Sequence, residues 1–134
     1  MNWRVEKGTM ADAGTIAGFQ VDMALESEGT VLDRHLILKG VSAGLSDPDK
    51  GTYYLVKTEL GETAGSLFLT KEWSDWNNCW YWWIQSVFIK PEYRRIIKFL
   101  NISIILILLN NKRIQIEIVF RKNPQFGPIV ANII

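Results

Sequence analysis

The run WYWWIQSVFI, residues 80–89, constrains this chain more than any other stretch. Its aromatic and β-branched residues, interrupted only by Gln85 and Ser86, read as a buried strand. Pro91 ends it, because proline has no N–H to give a ladder. EYRR then turns and sets Arg94 and Arg95 where a helix should begin. A helix start presents unpaired N–H groups and a positive dipole end, both of which attract phosphate, and two arginines would add charge-assisted bonds. The same residues also read as a solvated basic turn.

The segments before it set the order of elements. WRVEKGT alternates as a first strand, and Thr9 with Asp12 forms a T-x-x-D capping signal. The helix that follows puts Ile16, Phe19 and Met23 on one face and ends in the polar ESEG, residues 26–29. A second helix is predicted from about 31 to 43, with Leu38, Val41 and Leu45 spaced for burial. SDPDKG is a turn cluster, and TYYLVKTE, LGET and AGSLFLT give a hairpin. KEWSDWNN reads as a polar-aromatic connection. The order is β-α-α-β-β-β, which predicts one α/β domain over residues 1–134.

Composition narrows the function classes. A net charge of +1 gives no strong pull on nucleic acid or an anionic membrane. The lone Cys79 rules out an internal disulfide framework and fits a reducing, cytoplasmic setting. The first ten residues hold no apolar stretch, so no signal peptide is expected, and FLNISIILILL has about half the length a membrane span needs. No His, Cys and acid set has metal-ligand spacing, so no metal is expected. His35 lies among leucines and isoleucine and reads as structural, as does Cys79. The chain changes character at residue 96. Ten basic and thirteen acidic residues give −3 before it; five basic and one acidic, with twelve isoleucines, give +4 after it. The tail still allows a helix over about 97–110 and a strand in RIQIEIVF.

Together these stretches resemble the GNAT superfamily of N-acetyltransferases. The likeness rests on ADAGTIAGFQVDMALESEGTVLD, on KGVSAGLSDPDKGTYYLV and above all on TAGSLFLTKEWSDWNNCWYWWIQSVFIKPEYRR; it covers about residues 3–95. It implies an α/β fold with a mixed, mostly antiparallel sheet and flanking helices, and acetyl transfer from acetyl-CoA to a primary amine of a small molecule or peptide. Acetyl-CoA would lie where strand four splays from its neighbour. Val87, Phe88 and Ile89 would hold its pantetheine arm, and Arg94, Arg95 and the amides around Ile97 its diphosphate. The superfamily's R/Q-x-x-G-x-G/A pattern places Arg94 on its arginine but finds Ile97 where a glycine lets backbone approach phosphate. Residues 96–134 contain no tyrosine for the departing thiolate and are too few for the expected strand, helix and two strands. The C-terminal part of the fold is therefore expected to be incomplete, its tail degenerate or read out of frame.

For the acceptor side, Glu26 and Gln85 are the catalytic candidates. Glu26 would take the amine's proton, and Gln85 would position a water. Glu28, Glu72, Trp73, Asp75 and Trp76 are the candidates for binding a cationic amine, with indole faces beside carboxylates. Each also reads plainly: ESEG as a solvated helix end, EWSDW as a loop packed by its tryptophans. A second reading of the whole chain is a non-catalytic remnant that self-associates, with a homodimer left open; a basic-tail binding module is the weakest.

Overall fold

The computed structural model describes residues 3–97 and 115–116. Among these residues five strands form one sheet in the order β1-β2-β3-β4-β5, with β1 at Arg4–Lys7, β2 at Thr52–Lys57, β3 at Thr63–Ser74, β4 at Cys79–Ile89 and β5 at Gln115–Ile116. The first four pair antiparallel; β5 runs parallel to β4 against Tyr81 and Trp82. The sheet is mixed and mostly antiparallel, as expected.

The polypeptide enters α1 (Ala13–Glu28) through a short 3-10 turn at Met10–Asp12. The Thr9 N–H donates to Asp12 Oδ2 at 2.8 Å, so the capping signal operates on this turn rather than on the α-helix itself. Gly29 closes α1 at φ 64, a left-handed position that suits glycine. The second helix, α2 (Arg34–Ser46), begins three residues later than its apolar spacing suggests. Asp33 causes the delay: its carboxylate accepts from the N–H groups of His35 and Leu36 at 2.9 and 3.3 Å and fixes the start. The face turned to the core carries Ile37, Val41, Gly44 and Leu45, and Leu38 is exposed.

Both helices lie on one face of the sheet. Ala13, Ile16 and Ala17 of α1 and Val41 of α2 pack on Tyr53 and Leu55, and Tyr53 stacks on Phe68 at 4.2 Å. Strand alternation sends the neighbours of these residues to the other face. There, Leu67, Leu69 and Ile84 form one buried cluster with Tyr54 and Val87 against it; Val56, Ala64 and Ile89 form another beneath Trp3 and Tyr93.

KEWSDWNN is not a connection. Its first four residues continue β3, and only 75–78 turn, with Asn78 at φ 50. β3 and β4 therefore outrun β2, whose pairing ends at Leu69, and continue as a ribbon. Cross-strand contacts hold it: Trp73 meets Trp80 edge-on at 5.2 Å, and the Lys71 ammonium lies 4.6 Å over the Trp80 ring. The sequence-predicted helix beyond residue 97, and RIQIEIVF apart from Gln115 and Ile116, fall outside the described residues. Among the described residues no helix is long and apolar enough to cross a membrane.

Candidate functional site

The C-terminal half of β4 carries a defect in its ladder. Ser66 pairs with Phe88 and Phe68 with Gln85, so Leu67 faces two residues, Ser86 and Val87. Ser86 takes up the extra residue at φ 54. Beyond this bulge the Lys90 N–H donates to the Ala64 carbonyl at 2.9 Å, so Lys90 and Phe88 turn their main-chain groups toward β3. Val87 and Ile89 alternate with them and turn theirs outward. Among the described residues β5 meets β4 only at Tyr81 and Trp82, so no strand there takes the outward groups of Val87 and Ile89.

Close packing holds this edge in place. An added Cβ on Gly65 would stand 2.5 Å from the Phe88 carbonyl oxygen and 2.5 Å from Ile89 Cδ1, so only glycine lets β3 approach here. On the helical face, Phe88 stacks on Phe19 of α1 at 5.0 Å. The chain then crosses a 3-10 turn at Pro91–Tyr93 into a helical turn, α3 (Arg94–Ile97). Glu62, in the loop before β3, staples that turn: it accepts from Lys90 Nζ and from the Tyr93 hydroxyl, each at 2.7 Å. The Lys90 bond, then the Tyr93 bond, hold the Glu62 carboxyl below the usual carboxylate range; the Glu62 bond holds the Tyr93 phenol above its usual range.

This staple has a pH signature. The depressed Glu62 contributes stability that is present above the ordinary carboxylate range and is lost as acid titrates the folded group. The raised Tyr93 contributes stability that is present below the ordinary phenol range and is lost as pH rises through its folded value. Glu62→Gln is therefore expected to flatten both the acid and the alkaline limb of a plot of melting temperature against pH; parallel curves for the two proteins would show the staple to be inert.

Arg94 and Glu26, 68 residues apart in sequence, meet as a fork. Arg94 Nη1 and Nη2 donate to Glu26 Oε1 and Oε2 at 2.8 and 2.6 Å, and Arg94 Nε donates to the Ile89 carbonyl at 2.9 Å. The guanidinium carbon lies 5.8 Å from the centre of the Phe88 ring. One arginine thus joins the end of α1 to the end of β4.

The other candidates are spread more widely. Glu28 and Arg95 are exposed, and Ile97 lies in the helical turn. Gln85 is exposed on the helical face and donates from Nε2 to Thr70 Oγ1 at 3.0 Å. Glu72, Trp73, Asp75 and Trp76 sit at the ribbon tip, about 20 Å from Val87 at the rise of a strand. Glu72 and Trp73 point to opposite faces there, so the structure does not bring this set to the Glu26–Arg94 pair. His35 is exposed on α2, and Cys79 is half-buried at the start of β4. No group of three His, Cys, Asp or Glu among the described residues is arranged to hold a metal. The sequence offered no glycine at residue 86 to announce the bulge, and nothing marked Glu62 or Tyr93. Among the described residues, the buried polar atoms Gln20 Nε2, Ser66 Oγ and Trp83 Nε1 have no hydrogen-bond partner.

No family model and no curated protein matches the sequence. The solved structures do. The chain is 35% identical to a possible acetyltransferase from Clostridium difficile 630, with a TM-score of 0.79, over 91% of this chain and 81% of that one. This chain belongs to the GNAT superfamily of N-acetyltransferases. Two more distant structures show the same GNAT fold. A predicted acetyltransferase with acetyl-CoA from Clostridium acetobutylicum matches at a TM-score of 0.68 and 12% identity, over 92% of this chain and 86% of that one. Ribosomal-protein-alanine N-acetyltransferase from Brucella melitensis biovar Abortus 2308 matches at 0.71 and 10%, over 92% and 84%.

Proposed function

We propose that this chain transfers an acetyl group from acetyl-CoA to a primary amine of a small molecule or peptide. The observation that carries the reading is the β4 edge beyond Ser86, where Val87 and Ile89 turn main-chain donors and acceptors away from β3. A pantetheine arm has amides spaced to pair with such an edge as a short added strand. The superfamily membership and the Clostridium acetobutylicum structure with acetyl-CoA support the same ligand.

In this reading the amine nitrogen attacks the thioester carbonyl, the C–S bond breaks, and the thiolate leaves on coenzyme A. The edge holds the thioester in line, so the step proceeds from a bound pair rather than from free collision. Main-chain N–H groups at the bulge stabilise the developing oxyanion. Glu26 receives the amine's proton, directly or through water held by Gln85. Glu28 adds negative charge for a cationic acceptor. The ribbon tip, with Glu72, Trp73, Asp75 and Trp76, would touch only an acceptor long enough to reach along β4, such as a peptide. The lone cysteine fits a cytoplasmic setting.

The fit is uneven. The edge suits the pantetheine arm, whereas Ile97 stands where backbone must approach the diphosphate. That isoleucine favours a second reading, a remnant that has lost the coenzyme and acts through association. Thermal denaturation with acetyl-CoA separates the two. Ligand at a hundred times its Kd is expected to stabilise the enzyme by about 2.7 kcal/mol. Ile97→Gly is expected to tighten acetyl-CoA by about tenfold. No shift at millimolar acetyl-CoA in either protein, with a melting temperature that depends on protein concentration, would favour the remnant.

A further inference from the structure

The ribbon that β3 and β4 form beyond Leu69 has, among the described residues, an unpaired outer edge on β3. We propose that this edge docks a second copy of the chain: two β3 strands pair antiparallel about a twofold axis at Trp73, and Lys71 of each copy lies opposite Asp75 of the other. The inference gives a homodimer its surface and its register, and it stands whether or not acetyl-CoA binds.

Strand phase shows that the edge is open. The Gly8 N–H donates to the Tyr53 carbonyl at 2.8 Å, so Tyr53 turns its main chain to β1, and Thr52 and Tyr54 turn theirs to β3. Their partners Leu69 and Leu67 therefore turn toward β2. Lys71 and Trp73 keep that phase, because the register of β3 on β4 is unbroken from Phe68 to Ser74. Yet β2 begins at Thr52, opposite Leu69, so among the described residues no strand takes the N–H and C=O groups of Lys71 and Trp73. The side chains mark the edge as a contact. Trp73 and Trp80 are 48% and 47% exposed, and Trp76 in the turn is 93% exposed. Clustered exposed indole suits a protein contact better than water. A lysine on an edge commonly wards off pairing. Here the Lys71 ammonium lies over the Trp80 ring instead, along the face of its own ribbon.

Register then selects the occupant. A twofold axis perpendicular to the sheet keeps each face continuous and pairs residues of like parity. Centred at Lys71, it opposes two ammonium groups and asks Trp73 to pair with Leu69, which Thr52 already holds. Centred at Glu72, it opposes two carboxylates. Centred at Ser74, it takes Lys71 away from Asp75. Centred at Trp73, it lets the two Trp73 residues exchange main-chain bonds, sets Glu72 against Ser74, and places Lys71 opposite Asp75 twice over. Such self-complementarity is what an isologous contact requires, and it favours a second copy over an unrelated peptide. The same register brings the turn that carries Trp76 up to the loop at 47–51, where β2 begins.

The test is sedimentation equilibrium of the full chain without ligand, at concentrations from about 1 μM to about 1 mM. A contact of this size is weak, so the mass is expected to rise from one chain to two with a Kd of roughly 10–100 μM. Lys71→Asp and Asp75→Lys each set like charges opposite each other at both ends of the contact, and each is expected to weaken the dimer about tenfold. Mixed in equal amounts, the two variants bring opposite charges together again, and a heterodimer within about threefold of the wild-type Kd is expected. Should Lys71→Asp fail to fold, Asp75→Lys, in the turn, carries the comparison alone. A one-chain mass at every concentration overturns the proposal. So does a dimer whose Kd neither variant changes, since its contact then lies elsewhere. A mixture that associates no better than its components overturns it as well, as does assembly beyond two copies, because a twofold contact closes on itself. No coenzyme is present in these measurements, so a failure of acetyl-CoA to bind leaves their outcome untouched.

Discussion

Gly65→Ala is expected to lower stability by about 2–3 kcal/mol, roughly 10 °C in melting temperature for a chain of this length, and to abolish coenzyme-dependent stabilisation. The added methyl would stand 2.5 Å from the Phe88 carbonyl oxygen and 3.2 Å from Ile89 Cα, both main chain. A side chain can swing away from such a contact; a strand can yield only by moving. The strand that must move is the one whose far edge presents Val87 and Ile89, so stability and ligand response should fall together. Gly40→Ala is the control. It lies within α2 with nothing near its Cβ, and alanine there should stabilise by about 0.5–1 kcal/mol through helix propensity. Thermal melts of the three proteins with and without acetyl-CoA check the contrast; a retained ligand shift in Gly65→Ala would detach the edge from coenzyme binding.

Ile16→Ala should cost more, about 3–4 kcal/mol, with a different functional outcome. Ile16 is wholly buried where α1 meets α2 and β2, among Ala13, Ala17, Val41, Tyr53 and Leu55. Removing three carbons leaves a cavity lined by two helices and a strand. Yet Ile16 lies nearly three helical turns before Glu26 and belongs to the cluster on Tyr53 and Leu55 rather than to those of Val87 and Ile89. Denaturant unfolding should show the loss in full, while acetyl-CoA affinity measured well below the melting temperature stays within about threefold of wild type. A large loss of affinity would mean that the first turn of α1 and the site are coupled through the helix.

The parts of this fold that the sequence displays are those decided by short-range preference. WYWWIQSVFI is a strand because its side chains suit no other element, and Pro91 stops it because proline removes a donor. The start of α2 was misjudged because periodicity weighs apolar spacing alone, whereas the Asp33 carboxylate decides which N–H is first. Lys71–Ser74 was misread for the opposite reason. Polar residues suit a solvated strand as well as a loop, and their pairing comes from residues across the turn. Of the candidate site, the sequence alone sets Val87, Ile89 and Arg94 close together along one strand and turn, whereas the Glu26–Arg94 fork joins positions 68 apart and no local signal encodes it. The Ser86 bulge was invisible, since serine carries no mark of a left-handed backbone.

That serine also resets the phase of its strand. Before it, the odd-numbered residues Trp83 and Gln85 share the helical side with Thr70 and Phe68; after it, the even-numbered Phe88 takes that side and stacks on Phe19. Ile84 and Val87, of opposite parity, consequently sit in one cluster. A strict two-residue rhythm would have sent either the tryptophan-rich half or the half that carries Val87, Phe88 and Ile89 the wrong way round. A single extra residue lets one strand serve two masters: a ribbon whose faces obey one count, and a helix-packed end whose faces obey the other.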